Sequence, residues 1–280
     1  MSDQPIIVSQ SFIKALDPQK ENCPRKARAI YIEGLISEPS DVMKLGNFFE
    51  TIAYGASEDG MRTTAEMDSR KGTMKVNYER VQTHAIRFLD TDEKNPDSYR
   101  VRYQMDLHAP RQHIYVTIKG EPGFILRARI DVITSLYDSI WFPNAKHAKV
   151  ILDTKITGST LSTFGPFAWG APDTMDHLQA DYYSLVHELG RGERIPFYYL
   201  VMDTTPQKRH MPFYKEVTDE NRKKVIARIR DTIALIKDYD RACGTEWPIK
   251  PSAEQCTRCP LANACPGYAA GITIKRITTR

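Results

Sequence analysis

The strongest chemical signal in the chain comes from Asp131, Asp153 and Lys155. In the run Phe124-Ile-Leu-Arg-Ala-Arg-Ile-Asp131, alternation sets Phe124, Leu126, Ala128 and Ile130 on one face of a strand and Arg127, Arg129 and Asp131 on the other. In Val150-Ile-Leu-Asp153-Thr-Lys155-Ile, the same rule groups Asp153 with Lys155, opposite Val150, Leu152 and Ile156. If these two strands pair, two carboxylates and an ammonium converge. Carboxylate oxygens are hard ligands that suit Mg²⁺ or Mn²⁺, and such an ion can hold a phosphate, neutralise developing charge and activate water in phosphodiester cleavage. The lysine would position that water or stabilise the pentacovalent state. An exposed Asp-x-Lys ion pair would leave the same letters, so the motif needs independent support.

Cysteine spacing gives a second signal. Cys256-Thr-Arg-Cys259 is followed after five residues by Cys265, an arrangement in which short loops can turn three thiolates toward one centre. A fourth ligand must come from elsewhere, and Cys23, followed by Pro24, is the candidate. Four thiolates suit Zn²⁺ or an iron–sulfur cluster, and spacing alone separates the two poorly. Tying Cys23 to the last of the cysteines would close a loop across almost the whole chain and couple metal binding to folding. Cys243, just before Gly244 and without a partner at short spacing, reads as a packed or free thiol.

The elements that must position these residues follow from periodicity. A short helix is expected from Pro24 through Ile36, and another from the N-cap Ser40, with Val42, Leu45, Phe49 and Ile52 on its buried face and Gly46 and Glu50 on another. Residues 57 to 99 are polar with scattered apolar positions and predict surface helices inserted before the sheet. Strands are expected at Arg100 to Leu107, Gln112 to Lys119, Phe124 to Leu136 and Ala148 to Ile156, connected most simply as an antiparallel meander. Helical spacing returns from Asp173 to Leu189, with Leu178, Tyr182, Leu185 and Leu189 in a stripe and Gly190 as the stop. Pro196 to Asp203 reads as a strand, and Asn221 to Tyr239 as an amphipathic helix with a basic outer face.

The order of these blocks resembles the PD-(D/E)XK nuclease superfamily: an acid in Arg-Ile-Asp131, then Asp153-x-Lys155, then Gln179-Ala-Asp-Tyr-Tyr183 on the following helix. More narrowly it is similar to the RecB-like branch, and the one-plus-three cysteines resemble its iron–sulfur members, AddB-like and CRISPR-associated RecB-like exonucleases. The resemblance implies that Gln179 and Tyr183 contact DNA or water beside the catalytic Asp131, Asp153 and Lys155. It also implies a 4Fe-4S cluster on Cys23, Cys256, Cys259 and Cys265, with zinc as the alternative. In that branch an upstream Gly-x3-His supplies one more metal ligand; here the run is Gly46-Asn-Phe-Phe-Glu50, so Glu50 stands where histidine is usual. Glu50, Asp131 and Asp153 would then hold Mg or Mn. Asp153 likewise replaces the commoner glutamate.

The expected architecture is therefore α/β, a restriction-endonuclease-like core with a mixed central sheet flanked by helices and the N- and C-terminal segments joined by the four-cysteine metal cluster. One nuclease domain over 1–280 is expected, with an N-terminal helical part (1–99), a catalytic core (100–205) and a cluster tail (206–280). The expected reaction is exonucleolytic hydrolysis of single-stranded DNA or free DNA ends, in recombination, repair or foreign-DNA processing, with protein partners in a recombination or adaptation complex. The alternative is a catalytically weak iron–sulfur or zinc subunit that binds DNA or assembles with partners. At 41% hydrophobic and 26% charged residues the chain can bury a sizeable core, while a net charge of +4 permits a nucleic-acid partner without requiring one. Basic residues interleaved with aromatics could follow phosphates while rings stack on bases: Lys146 and His147 after Trp141-Phe142, Arg191 and Arg194 before Tyr198-Tyr199, and Lys208-Arg209-His210 before Phe213-Tyr214. Arg191 and Arg194 are the favoured DNA contacts because they follow the Gln179 helix. Lacking an export signal in Met1 to Leu16 and any run of roughly 20 apolar residues, the chain is expected in the cytoplasm, away from membranes.

Overall fold

A computed structural model describes residues 4–20, 22–56, 60–136, 148–164, 168–252, 256 and 259–265, and of 107–111 and 148 the backbone alone. In chain order the first elements are β1 (Ile6–Val8), α1 (Gln10–Ala15), α2 (Pro24–Tyr31) and α3 (Asp41–Tyr54). A small hairpin of β2 (Met67–Asp68) and β3 (Thr73–Met74) leads to α4 (Val76–Leu89) and α5 (Tyr99–Tyr103). Then come β4 (Met105–Ile118), β5 (Glu121–Leu136), β6 (Ala148–Thr157), α6 (Leu178–Arg191), β7 (Phe197–Asp203), β8 (His210–Lys215) and α7 (Asp219–Cys243). These fall into two compact units, one of Met1–Glu38, Val116–Arg127 and Lys223–Arg280, the other of Pro39–Tyr115 and Ala128–Arg222. Among the described residues no helix is long and apolar enough to cross a membrane.

The second unit holds the sheet that matters for chemistry. β5 and β6 pair antiparallel, β6 and β7 parallel, and β7 and β8 antiparallel, so the sheet is mixed. The parallel step needs a crossover, and α6 supplies it between β6 and β7. Alternation along β5 buries Ala128, Ile130 and Val132 as expected. Val132, Val150, Leu152, Tyr198 and Leu200 share a core with Leu45, Phe48 and Phe49 of α3, Val81 and Phe88 of α4, and Tyr99 and Tyr103 of α5. On the opposite face Tyr183 of α6 meets Phe197 with ring centroids 6.4 Å apart. Helices thus cover both faces.

Local signals account for most element ends. Ser40 caps α3 through its side chain, accepting from the Met43 N–H at 3.3 Å. Helix α6 runs past Gly190 and stops at Gly192, whose φ of +73° supplies the left-handed turn. Leu189, expected on the buried stripe, is 48% exposed.

Two expectations about the elements are corrected. The segment expected as a strand from Arg100 to Leu107 begins as helix α5, ended by Gln104 in the left-handed region, before β4 starts at Met105. Tyr99, Val101 and Tyr103 alternate, which suggests a strand, but Tyr99 and Tyr103 are also one helical turn apart, and the structure buries both. Next, β4 continues through Ala109-Pro110 instead of breaking into two strands. Proline is tolerated in strands at a sheet edge, and among the described residues β4 pairs only with β5. The antiparallel pairing expected between the last two strands of the meander holds for β5 and β6.

In the first unit, β1 lies parallel to the start of β5, with Ile6 opposite Phe124 and Val8 opposite Leu126. Arg28 on α2 pairs with Asp240 on α7 at 2.8 Å, and its guanidinium sits 5.4 Å above the ring of Trp247. The buried Trp247 donates its indole N–H to the same carboxylate at 2.9 Å. Arg25 N–H donates to the Pro248 carbonyl at 3.2 Å, and Lys250 N–H points at Cys23 Sγ at 3.4 Å. The start of α2 and residues 248–250 are thereby fastened together beside Cys23.

Candidate active site

The β5–β6 register ends with Val132 opposite Leu152. Counting one residue further sets Asp131 across from Asp153, and directly opposed residues of an antiparallel pair share a face. There the ladder gives way to side-chain bonding: Thr154 N–H reaches Asp131 Oδ2 at 3.3 Å, with Thr154 Oγ1 at 3.4 Å from the same oxygen. Asp153 is 1% exposed, and both of its oxygens are engaged. Gln179 Nε2 donates to Oδ1 at 2.9 Å, and Lys155 Nζ stands 2.6 Å from Oδ2. Lys155 is partly open to solvent, so its ammonium joins a buried carboxylate to the surface.

Gln179 lies in the first turn of α6, and Tyr183 follows one turn later with its ring buried against Phe197. The structure therefore brings together Asp131, Asp153, Lys155 and Gln179, while Tyr183 is packed below them. Glu50 is linked to the group through a residue that sequence reasoning missed. Burial pushes the Tyr54 phenol well above its usual range, followed by the charge of Asp131 and, more weakly, those of Glu50 and Asp153, with the Thr154 hydroxyl opposing. Tyr54 is four residues beyond Glu50, itself four beyond Gly46, so the i, i+4 face of α3 was the signal that could have found it.

Among the described residues no three His, Cys, Asp or Glu side chains form a ready-made ion site. Two carboxylates are nonetheless a sufficient protein contribution for Mg²⁺, which is commonly bound through one or two of them plus waters and substrate phosphates. Asp131 and Asp153 fit that pattern. In the first unit Cys23, Cys256, Cys259 and Cys265 all line one small cavity with Arg25 and Lys26. Burial raises the Cys259 thiol, with Lys26 opposing. These four cysteines are the residues that would hold a metal group there. Cys243 is exposed at the end of α7.

Of the basic residues singled out, Arg194 donates to Glu188 at 3.0 Å and to Asp219 at 2.8 Å, and these hydrogen bonds raise the pKa of its guanidinium. Arg191 is exposed in the last turn of α6. Tyr198 and Tyr199 are buried in β7, where they cannot stack on a base unaided. His210 is held by the Tyr103 hydroxyl. Trp141, Phe142, Lys146 and His147 lie outside the described residues.

A mixed sheet with helices on both faces, an acid on one strand and Asp-x-Lys on its antiparallel neighbour defines the restriction-endonuclease-like class of α/β folds. The model of the PD-(D/E)XK nuclease superfamily matches residues 19–266, and the chain belongs to that superfamily. Among solved structures it is similar to a Eubacterium rectale protein assigned provisionally as an exonuclease. The two share 15% sequence identity with a TM-score of 0.58, over 97% of this chain and 89% of that one. No curated protein sequence matches the chain.

Proposed function

We propose that the chain is a Mg- or Mn-dependent deoxyribonuclease of the iron–sulfur RecB-like branch, acting exonucleolytically on single-stranded DNA or free DNA ends. The observation that carries this reading is the placement of Asp131 and Asp153 across one strand pair, with Lys155 on Asp153. Asp131 and Asp153 would hold the cation, with Glu50 as a further oxygen donor; bound there, the ion would neutralise phosphate charge and lower the pKa of a water. Lys155, partly open to solvent, can orient the attacking water and offset charge on the phosphoryl oxygens as it develops. Gln179 fixes the Asp153 carboxylate so that its other oxygen faces Lys155. Processing of broken or foreign DNA, with partner proteins in a recombination or adaptation complex, is the setting this chemistry suits.

The four cysteines would hold a 4Fe-4S cluster, which the shared cavity and the fastening of Cys23 to the segment after α7 support. Zinc is the competing occupant. Both parts are tested on protein purified without oxygen. End-labelled single- and double-stranded DNA, incubated with Mg²⁺ or Mn²⁺, should be shortened by the wild type and left intact by Lys155→Ala. Iron and sulfide analysis with a visible spectrum should show a brown chromophore that Cys23→Ser removes. Cleavage that survives Lys155→Ala would refute the active-site assignment, and stoichiometric zinc in a colourless protein would refute the cluster.

A further inference from the structure

The sheet face that carries Asp153 continues into a cavity. Asp153 pairs with Tyr199 across β6–β7, and Tyr199 with Phe213 across β7–β8. The three side chains therefore stand in a row on one face, at steps of about 4.8 Å. Beyond Tyr199 the row opens into a half-enclosed cavity of about 400 Å³ bordered by His177, Tyr199, Phe213 and Lys215, with Asp173 and Glu216 also lining it. Sites for small molecules and cofactors occupy roughly 300–1,000 Å³.

The wall is rigid and aromatic. Buried Trp169 packs 5.1 Å from the ring of Tyr199 and 5.2 Å from that of Phe213, fixing both. His177 lies 5.8 Å from Tyr199, and its Nε2 is 2.7 Å from the Pro172 carbonyl. A carbonyl only accepts, so Nε2 carries the hydrogen and Nδ1 of the neutral ring is left as an acceptor. Lys215 Nζ donates to the Glu216 carbonyl at 2.9 Å and stands 3.7 Å from Asp181 Oδ1, a buried oxygen that makes no hydrogen bond among the described residues. Asp173, Asp181 and Glu216 outnumber the one ammonium, which disfavours a free phosphate dianion and suits an uncharged aromatic ring. Among these residues Lys215 alone could meet a singly charged phosphodiester.

We propose that this cavity receives the nucleoside next to the scissile phosphate, its base against Phe213 and His177 and its flanking phosphodiester at Lys215. The proposal rests on the nuclease reading and assigns that reading a substrate subsite. Stacking on aromatic side chains tolerates any base, which fits an enzyme that must pass over every sequence.

The test measures binding without turnover. Full-length protein is titrated into a fluorescein-labelled single-stranded DNA octamer in EDTA, and anisotropy is compared with octamers carrying one abasic nucleotide at each position in turn. For the wild type, one abasic position should weaken binding roughly tenfold. In Phe213→Leu, which keeps apolar bulk, the intact octamer should bind roughly tenfold more weakly and the penalty at that position should vanish. In Lys215→Met, the slope of log affinity against log salt should shrink by about 0.7. A merely structural defect would weaken intact and abasic strands alike and leave their ratio unchanged. An unchanged abasic penalty in Phe213→Leu, an unchanged salt slope in Lys215→Met, or no DNA binding by the wild type would overturn the proposal. An inactive protein with the expected binding pattern would sink the nuclease reading alone, and an active one without it would sink the subsite alone.

Discussion

Lowering the pH from 7 to 4 should destabilise the sheet-bearing unit through one buried histidine. His84 on α4 has no exposed surface. Its Nε2 lies 2.9 Å from the Asp203 carbonyl and must carry the hydrogen, so Nδ1 accepts from the Tyr99 hydroxyl. Protonating Nδ1 would remove that acceptor and bury a charge. Burial pushes the imidazole from 6.5 down to about 4, with the Asp203 carbonyl and carboxylate opposing and the charges of Arg87 and Lys208 assisting. The unfolded chain binds the proton more readily, so this contribution is complete above pH 6.5 and is lost as pH falls toward 4. At roughly 1.4 kcal/mol per pH unit, a displacement of that size is worth about 3 kcal/mol, a large share of a typical stability of about 5–15 kcal/mol. The assay is urea unfolding at half-unit steps of pH for the wild type and His84→Gln. Carboxylates titrate in the same window in both proteins, so the difference between the two curves isolates His84. The wild type should lose about 3 kcal/mol more than the variant between pH 6.5 and 4. Parallel curves would refute the argument. His210, also pushed down to about 4 by burial and more exposed, should add a smaller effect of the same sign.

Gln179→Ala should lower cleavage about 10- to 100-fold with little change in thermal midpoint, because it frees one oxygen of Asp153 from the bond that orients it. Single-turnover rates with saturating Mg²⁺ would check it. Asp203→Ala should cost about 3 kcal/mol in urea unfolding: its carboxylate accepts from Thr160, Thr205 and the Arg209 N–H, and the two Thr160 donors would be left buried without an acceptor. Gly170→Ala should destabilise by about 1–3 kcal/mol in the same assay, since a Cβ there would lie 2.5 Å from the Leu161 carbonyl oxygen, part of a backbone segment that cannot swing aside as a side chain can.

By itself the sequence determined those features that depend on near neighbours in the chain. Strict alternation from Phe124 to Val132 could only be a half-buried strand, so the orientation of Asp131 followed, as did that of Asp153 beside Lys155. Ser40 announced α3 because a side-chain cap acts within three residues. The one-plus-three spacing of the cysteines was equally readable, and the structure places all four around one cavity. Where two periods fitted the same letters, local pattern failed. Tyr99 and Tyr103 suit strand and helix alike, and long-range partners decided: the His84 and His210 side chains that take their hydroxyls come from α4 and β8. Strand direction was also beyond local reach, since β6 and β7 read the same whether parallel or antiparallel and only the α6 crossover settles it. Tyr54 was missed because its place four residues after Glu50 marks only a helix face; what sets it apart is the Asp131 carboxylate that β5 brings alongside. Tyr199 and Phe213 were readable as aromatics near basic residues, but their standing side by side on one sheet face at a cavity depends on strand pairing. Sequence fixes which face a side chain takes on its own element, and tertiary structure fixes what that face meets.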